Sequence, residues 1–138
     1  MSLFNNFDVS GSALSAQNFR LNLISSNLAN ANTVSSSIDQ TYRSRQPVFS
    51  AMLEGVNGDE NSNGVRVLGV VESDKPLRTE YSPEHPLANE EGYISLPNVN
   101  VIEEMANMIS ASRSYQTNVE VVKTSKNLIS QLLKLGQS

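Results

Sequence analysis

The residues that most often carry catalysis or bind metals are few and scattered in this sequence. Histidine occurs once, as His85 between Glu84 and Pro86, and cysteine is absent. A single imidazole with no second ligand or base nearby makes neither a metal site nor a nucleophile–base pair. We therefore interpret His85 as part of a rigid surface loop.

The carboxylates do not form a recognisable site either. Glu90-Glu91 and Glu103-Glu104 are adjacent pairs, and Asp59-Glu60-Asn61 is a short oxygen-rich run. Neighbouring residues of a helix do not face the same way, so the pairs indicate solvated charge. The run lacks the oxygen spacing of a calcium loop, and no serine-elbow or phosphate-loop motif is present. The residues predict no enzyme, no cofactor and no metal.

Composition excludes further classes of function. The chain has 138 residues, enough for one modest domain, and a net charge of −4 from 10 basic and 14 acidic residues. It offers no positive surface for nucleic acid, and no apolar run approaches the ~20 residues of a membrane span. The amino terminus has neither the basic nor the apolar region of a cleavable signal peptide. We expect no nucleic-acid partner, no membrane span and no cleaved signal.

The sequence divides into a helical head (1–33), an irregular or β-rich middle (34–97) and a long helical tail (98–138). The head repeats apolar residues at a spacing of seven, which predicts an amphipathic helix from Asp8 to Asn32 capped by Asp8 or Ser10. Its stripe consists of Phe7, Leu14, Leu21 and Leu28, with Ile24 and Ala31 alongside.

The middle contains three candidate strands and one polar run. Residues 46–52 and the β-branched segment 65–71 predict strands, and residues 93–96 predict a shorter one. The Gly- and Asn-rich run 54–64 is typical of a turn or loop.

The tail gives the clearest local prediction. Neither Gly nor Pro occurs from Asn98 to Leu135, so a helix of ~55 Å is expected there, with Asn98 as N-cap and Gly136 at its end. Two such long helices exceed what a small middle can cover. They either pair with each other in a coiled-coil-like manner or pair with helices of neighbouring subunits.

Two motifs resemble the flagellar rod, hook and hook-associated family. The segment 25–33, SSNLANANT, is similar to the family's amino-terminal signature, in which an amphipathic helix runs into N-L-A-N-x-x-T. The segment 103–120, which ends in SASRSYQTNVE (110–120), resembles the carboxy-terminal signature. Residues 81–86 and 92–99 are similar to the C-type, proximal rod class of the family. The chain departs from many members because Val34 follows Thr33 where they have Pro-Gly.

The resemblance implies a structural subunit of the bacterial flagellar basal body. Such a subunit is exported through the flagellar type III apparatus without cleavage and assembles in the periplasm into the rod that transmits torque from motor to hook. The implied partners are copies of itself, other rod proteins, and the export-gate and MS-ring proteins at the base. Two alternatives stay open: another rod or hook subunit (B-type or distal), and a soluble helical adaptor or export chaperone.

We predict that the assembly interface is carried by the two helices. Leu21, Ile24 and Leu28 are expected to pack against Val119, Val122 and Ile129, within or between subunits. Buried polar contacts are expected at Asn27, Asn30 and Gln116. The full predicted set is Leu14, Leu21, Ile24, Asn27, Leu28, Asn30, Met105, Ile109, Tyr115, Gln116, Val119, Val122, Ile129 and Leu133.

Overall fold

The described residues form two long helices, one near each end of the chain, and two small β-sheets that lie between them in the sequence. A computed structural model describes residues 3–54 and 62–136. The order is α1 (Leu3–Asn30), a short 3-10 helix (Ile38–Gln40), β1 (Arg45–Glu54), β2 (Ser62–Glu72), β3 (Arg78–Tyr81), β4 (Tyr93–Leu96) and α2 (Val101–Gly136). The predicted class, mainly helical with a small β middle, is confirmed, as are the three strands. Of the polar run 54–64, residues 55–61 lie outside the described residues.

Both helix starts differ from the prediction. Helix α1 begins at Leu3, so neither Asp8 nor Ser10 is its N-cap. Helix α2 is capped by Asn100, whose Oδ1 accepts hydrogen bonds from the backbone N–H groups of Ile102 (3.1 Å) and Glu103 (3.3 Å). The side chain of Asn98 is instead used in the middle of the protein, where its Oδ1 accepts from the backbone N–H of Ser44 at 2.8 Å. The prediction of Asn98 as the N-cap is therefore wrong, because tertiary contacts use its side chain.

The two helices pack against each other and run antiparallel. Asn27 of α1 contacts Glu104 at the start of α2, and Arg20, two turns earlier, contacts Asn107. The buried positions of α2 are spaced by seven or fourteen residues and are small or polar: Glu104, Ala111 and Ser125. Those of α1 are Ser10, Ala16 and Asn27, which are also small or polar, and the larger apolar residue Ile24. Small side chains on both surfaces allow the backbones to approach closely.

The first sheet is an antiparallel hairpin that lies on α1. Strands β1 and β2 pair from Arg45–Glu72 to Glu54–Ser62, with an irregularity between Val48 and Phe49. The backbone N–H of Val65 donates to Ser12 Oγ at 3.1 Å. A Cβ on the neighbouring Gly64 would lie 3.0 Å from that same Oγ, so glycine permits this close approach.

The second sheet joins the end of α1 to the start of α2. Strands β3 and β4 are antiparallel, and the turn between them requires Gly92, which has φ +81° and lies close to Tyr81. The guanidinium of Arg78 donates to the carbonyl oxygens of Ala31 and Pro97, each at 3.1 Å. Arg78 therefore ties the end of one helix to the approach of the other.

Candidate assembly interface

A buried polar junction centred on Asn27 connects four parts of the fold. The residue is 1% exposed. Its Nδ2 donates to the backbone carbonyl of Arg45 at 2.9 Å and to Glu104 Oε2 at 3.1 Å. Its Oδ1 accepts from the Tyr42 hydroxyl at 2.8 Å and from the Arg45 backbone N–H at 2.9 Å. Both donors and both acceptor sites of the amide are used, so the junction is fully satisfied.

The order of donors in this junction follows from the single proton on each hydroxyl. Tyr42 gives its proton to Asn27, so Ser26 Oγ, 3.2 Å from the Tyr42 hydroxyl, is the donor in that pair. The guanidinium of Arg45 also lies over the ring of Tyr42, 5.3 Å from the ring centroid, in a cation–π contact. The loop before β1 is therefore fixed to α1 by side chains rather than by a sheet ladder.

The predicted polar residues have three different outcomes in the chain. Asn27 is buried and fully bonded, as described. Asn30 is half-buried, and its Nδ2 donates to the backbone carbonyl of Ser26 at 2.8 Å, one turn back on its own helix. Gln116 is exposed on α2. These placements describe one chain, and roles of Asn30 and Gln116 between chains stay predictions.

The predicted apolar residues fall into two groups. The first group is buried or half-buried: Leu14, Leu21, Ile24, Leu28, Val119, Val122 and Ile129. The exposed group projects from α2: Met105 (55%), Ile109 (57%), Tyr115 (37%) and Leu133 (62%). Exposed side chains of this size are available for contacts outside the chain.

The antiparallel arrangement limits which of the predicted contacts one chain can make. Leu28 is next to Asn27, which contacts Glu104. Ile129 is 25 residues farther along α2, which corresponds to ~37 Å along the helix. A contact between Leu28 and Ile129 is therefore impossible within one chain, and it stays a prediction only for two neighbouring chains.

Helix α2 carries two exposed apolar patches on different sides. We call Ile102, Met105 and Ile109 the upper patch, and Val121, Leu128 and Leu132 the lower patch. Spacings of three, four and seven residues keep each patch on one side of the helix. Twelve residues separate Ile109 from Val121, about three and a third turns, so the patches point about 120° apart. One flat partner surface cannot cover both.

Several residues of the junction were missed by sequence reasoning. Glu104 was interpreted as solvated charge, yet it is 6% exposed and accepts from Asn27. Tyr42, in the loop before β1, and Arg45, the first residue of β1, were not singled out because this segment follows no periodic pattern. Ala111 and Ser125 are spaced by multiples of seven from Glu104, and that spacing of small residues was a usable signal for the inner face of α2.

The described ranges, 3–54 and 62–136, contain no cluster of three or more His, Cys, Asp or Glu residues that could hold a metal ion. Within the same ranges, no helix is long and apolar enough to cross a membrane. Other surface features of the described residues are the two patches on α2 and two open clefts beside the junction.

Comparison with known proteins gives consistent similarities along the chain. Residues 7–34 match the family model described as "Flagella basal body rod protein", and residues 90–135 match the model described as "Flagellar basal body rod FlgEFG protein C-terminal". The flagellar basal-body rod protein FlgC of Yersinia enterocolitica is 48% identical, with 99% of this chain and 100% of the relative covered. FlgC of Salmonella typhimurium is 47% identical at the same coverage. FlgC of Borreliella burgdorferi is 34% identical, with 99% of both chains covered.

The Asn27→Asp substitution should strongly destabilise the fold. It removes both amide donors and places a second carboxylate where Nδ2 now lies 3.1 Å from Glu104 Oε2. We expect a loss of about 3–5 kcal/mol in the free energy of unfolding, measured by urea denaturation. Adding Glu104→Gln should recover part of the loss, because the new amide can donate to Asp at position 27. The exposed control Asn22→Asp should cost less than about 0.5 kcal/mol, and an Asn27→Asp protein as stable as this control would contradict the role of the junction.

Proposed function

The chain belongs to the FlgC family of flagellar basal-body rod proteins, and we propose that it acts as a structural subunit of the proximal rod. In this role it assembles with copies of itself and with other rod proteins into the shaft that transmits torque from motor to hook. The observation that carries the proposal is full-length similarity to named rod proteins in a chain whose helix α2 leaves large apolar residues exposed. The role needs neither catalysis nor a cofactor.

The assembly interface in this proposal is formed by α1 and α2. The fully buried residues of the two helices are small or polar apart from Ile24, whereas several large apolar side chains of α2 are exposed. Burial of apolar area contributes roughly 25 cal/mol per Å², so covering the two patches by neighbouring helices favours assembly. The 14 predicted interface residues therefore include exposed positions that act between chains and buried positions that hold the helix pair. We propose that contacts between chains have a coiled-coil-like geometry.

The three segments of the chain take different parts in this proposal. The head (1–33) and the tail (98–138) are assembly segments, and the middle (34–97) holds them in one arrangement through the Asn27 junction and Arg78. Export without a cleaved signal, location in the periplasmic rod, and contacts with the export gate and MS ring at the base belong to the same proposal.

The alternatives are less consistent with these observations. Relatives named FlgC match over 99% of this chain, which favours this class over B-type or distal rod subunits. A soluble adaptor or export chaperone gives no reason for two apolar patches that point in different directions. A subunit surrounded by neighbours on several sides does.

Deletion of the gene tests the proposed function directly. We expect loss of swimming, with purified basal bodies that show the membrane ring but neither rod nor hook in electron micrographs. Complementation with the intact gene is the control and should restore both. Normal swimming and intact basal bodies in the deletion strain would refute the function.

The Ile109→Asp substitution separates assembly from folding. Ile109 is 57% exposed, so the free energy of unfolding of the isolated chain should change by less than about 0.5 kcal/mol. An unpaired carboxylate buried against a neighbour costs several kcal/mol, so the variant should be missing from purified basal bodies. Ser110→Asp adds the same charge at the next, exposed position and should be incorporated. If Ile109→Asp is incorporated at the level of this control, the upper patch is not part of the interface between subunits.

A further inference from the structure

An open cleft of about 390 Å³ lies between α1, β1 and the start of α2. Its lining is mixed: apolar side chains from Leu23, Ile24, Pro47 and Phe49 lie beside charged groups from both helices and from β1. Because the lining includes ionised groups, the charge left unpaired among them decides which side chain of a partner the cleft can bind.

Arg20 is the accessible charge in this cleft that lacks an opposite charge. Its Nη2 donates to Asn107 Oδ1 at 3.2 Å, and no carboxylate of the described residues lies within 4.0 Å of its guanidinium. The other lining charges are engaged elsewhere. Arg45 pairs with Glu72 at 3.3 Å, Glu103 faces Lys75 at 4.0 Å, and Glu104 is buried and accepts from Asn27. Among the described residues, one of the five N–H donors of Arg20 is bonded, so the other four can meet an incoming acceptor.

Helix α1 itself carries a complementary group. Between Leu3 and Asn30 the sequence has one acidic residue, Asp8, and one basic residue, Arg20. Asp8 is exposed, and no cation of the described residues lies within 4.0 Å of it. Asp8 is therefore the exposed group of α1 whose charge is complementary to that of Arg20.

We propose that Asp8 of one copy of the chain docks on Arg20 in the cleft of a second copy, and this inference rests on the proposed function as a polymerising subunit. Within one chain the two residues are twelve positions apart, ~18 Å along the helix, so they cannot pair with each other. Two copies side by side with a stagger of about 18 Å bring Asp8 of one to the level of Arg20 of the other.

The contact has the symmetry needed for an open assembly. Each copy donates Asp8 on one side and presents Arg20 on another, so the interface is heterologous and does not close on itself. A carboxylate on a guanidinium forms charge-assisted hydrogen bonds, roughly twice as strong as neutral ones, and these fix the stagger as well as contribute to affinity. The stagger between neighbouring subunits is thus specified by two residues of one helix.

Charge reversal in cells that lack the native gene tests this contact. Arg20→Glu alone and Asp8→Lys alone should each lose most swimming and most incorporation into purified basal bodies. The double variant, with both reversals in every copy, should restore both readouts to at least half of the wild-type level. A role of Arg20 confined to its bond with Asn107 would not be rescued by a change at position 8. The control double variant of Arg20→Glu with Glu80→Lys, an exposed acid on β3, should not be rescued.

Three results would overturn the inference without affecting the proposed function. The first is failure of the Asp8/Arg20 double variant to exceed the Arg20→Glu variant. The second is rescue of Arg20→Glu by a charge reversal in a different rod protein, which would make that protein the occupant. The third comes from Asp8→Asn, which controls for misfolding because Asp8 is exposed and no cation of the described residues lies within 4.0 Å of it. This variant should fold normally and still lose several-fold in incorporation, and wild-type incorporation would also overturn the contact. Normal swimming of the deletion strain would refute the proposed function instead.

Discussion

The buried amide of Asn27 is the constraint on which the rest of the fold depends. It satisfies one carboxylate, one hydroxyl and both backbone groups of Arg45, and so it fixes α2, the following loop and β1 to a single point on α1. An unsatisfied group in such a buried site would cost about 1–3 kcal/mol, so the four elements are held in one relative arrangement. Arg78 has a similar role at the end of α1, where its guanidinium donates hydrogen bonds to two backbone carbonyl groups.

Fixing the helices at one end allows most of their fully buried positions to be small or polar. Ala16, Ala111 and Ser125 contribute little apolar area, whereas large side chains of α2 such as Ile102 and Ile109 are exposed. A protein that functions as a monomer would be more stable with these large apolar side chains buried between its own helices. The outward placement of the upper and lower patches makes sense for a subunit that completes its core with its neighbours.

Much of this architecture was accessible from the sequence, and the limits have physical causes. The long helices and three of the four described strands follow from periodicity, from β-branched composition and from the absence of Gly and Pro in the tail. Buried polar contacts were predicted at Asn27 because its amide lies near the helix end, where it can bond neighbouring backbone groups. Glu104 and Tyr42 could not be predicted as its partners, since they come from segments distant in sequence. The N-cap is Asn100 and not Asn98 because the side chain of Asn98 forms hydrogen bonds with the middle of the protein, which local sequence does not reveal. The exposure of Met105 and Ile109 could not be predicted, because it depends on how α2 is rotated about its axis relative to α1.

The rate of Met105 oxidation by hydrogen peroxide, compared between the purified chain and purified basal bodies, tests the central claim most directly. Met105 belongs to the upper patch and is 55% exposed in the single chain, where its thioether should be oxidised readily. If the upper patch is covered by neighbouring subunits, mass spectrometry should show oxidation slowed at least several-fold in the assembled rod. Equal rates in the two states would mean that this side of α2 stays open to solvent and that the patch does not hold the rod together.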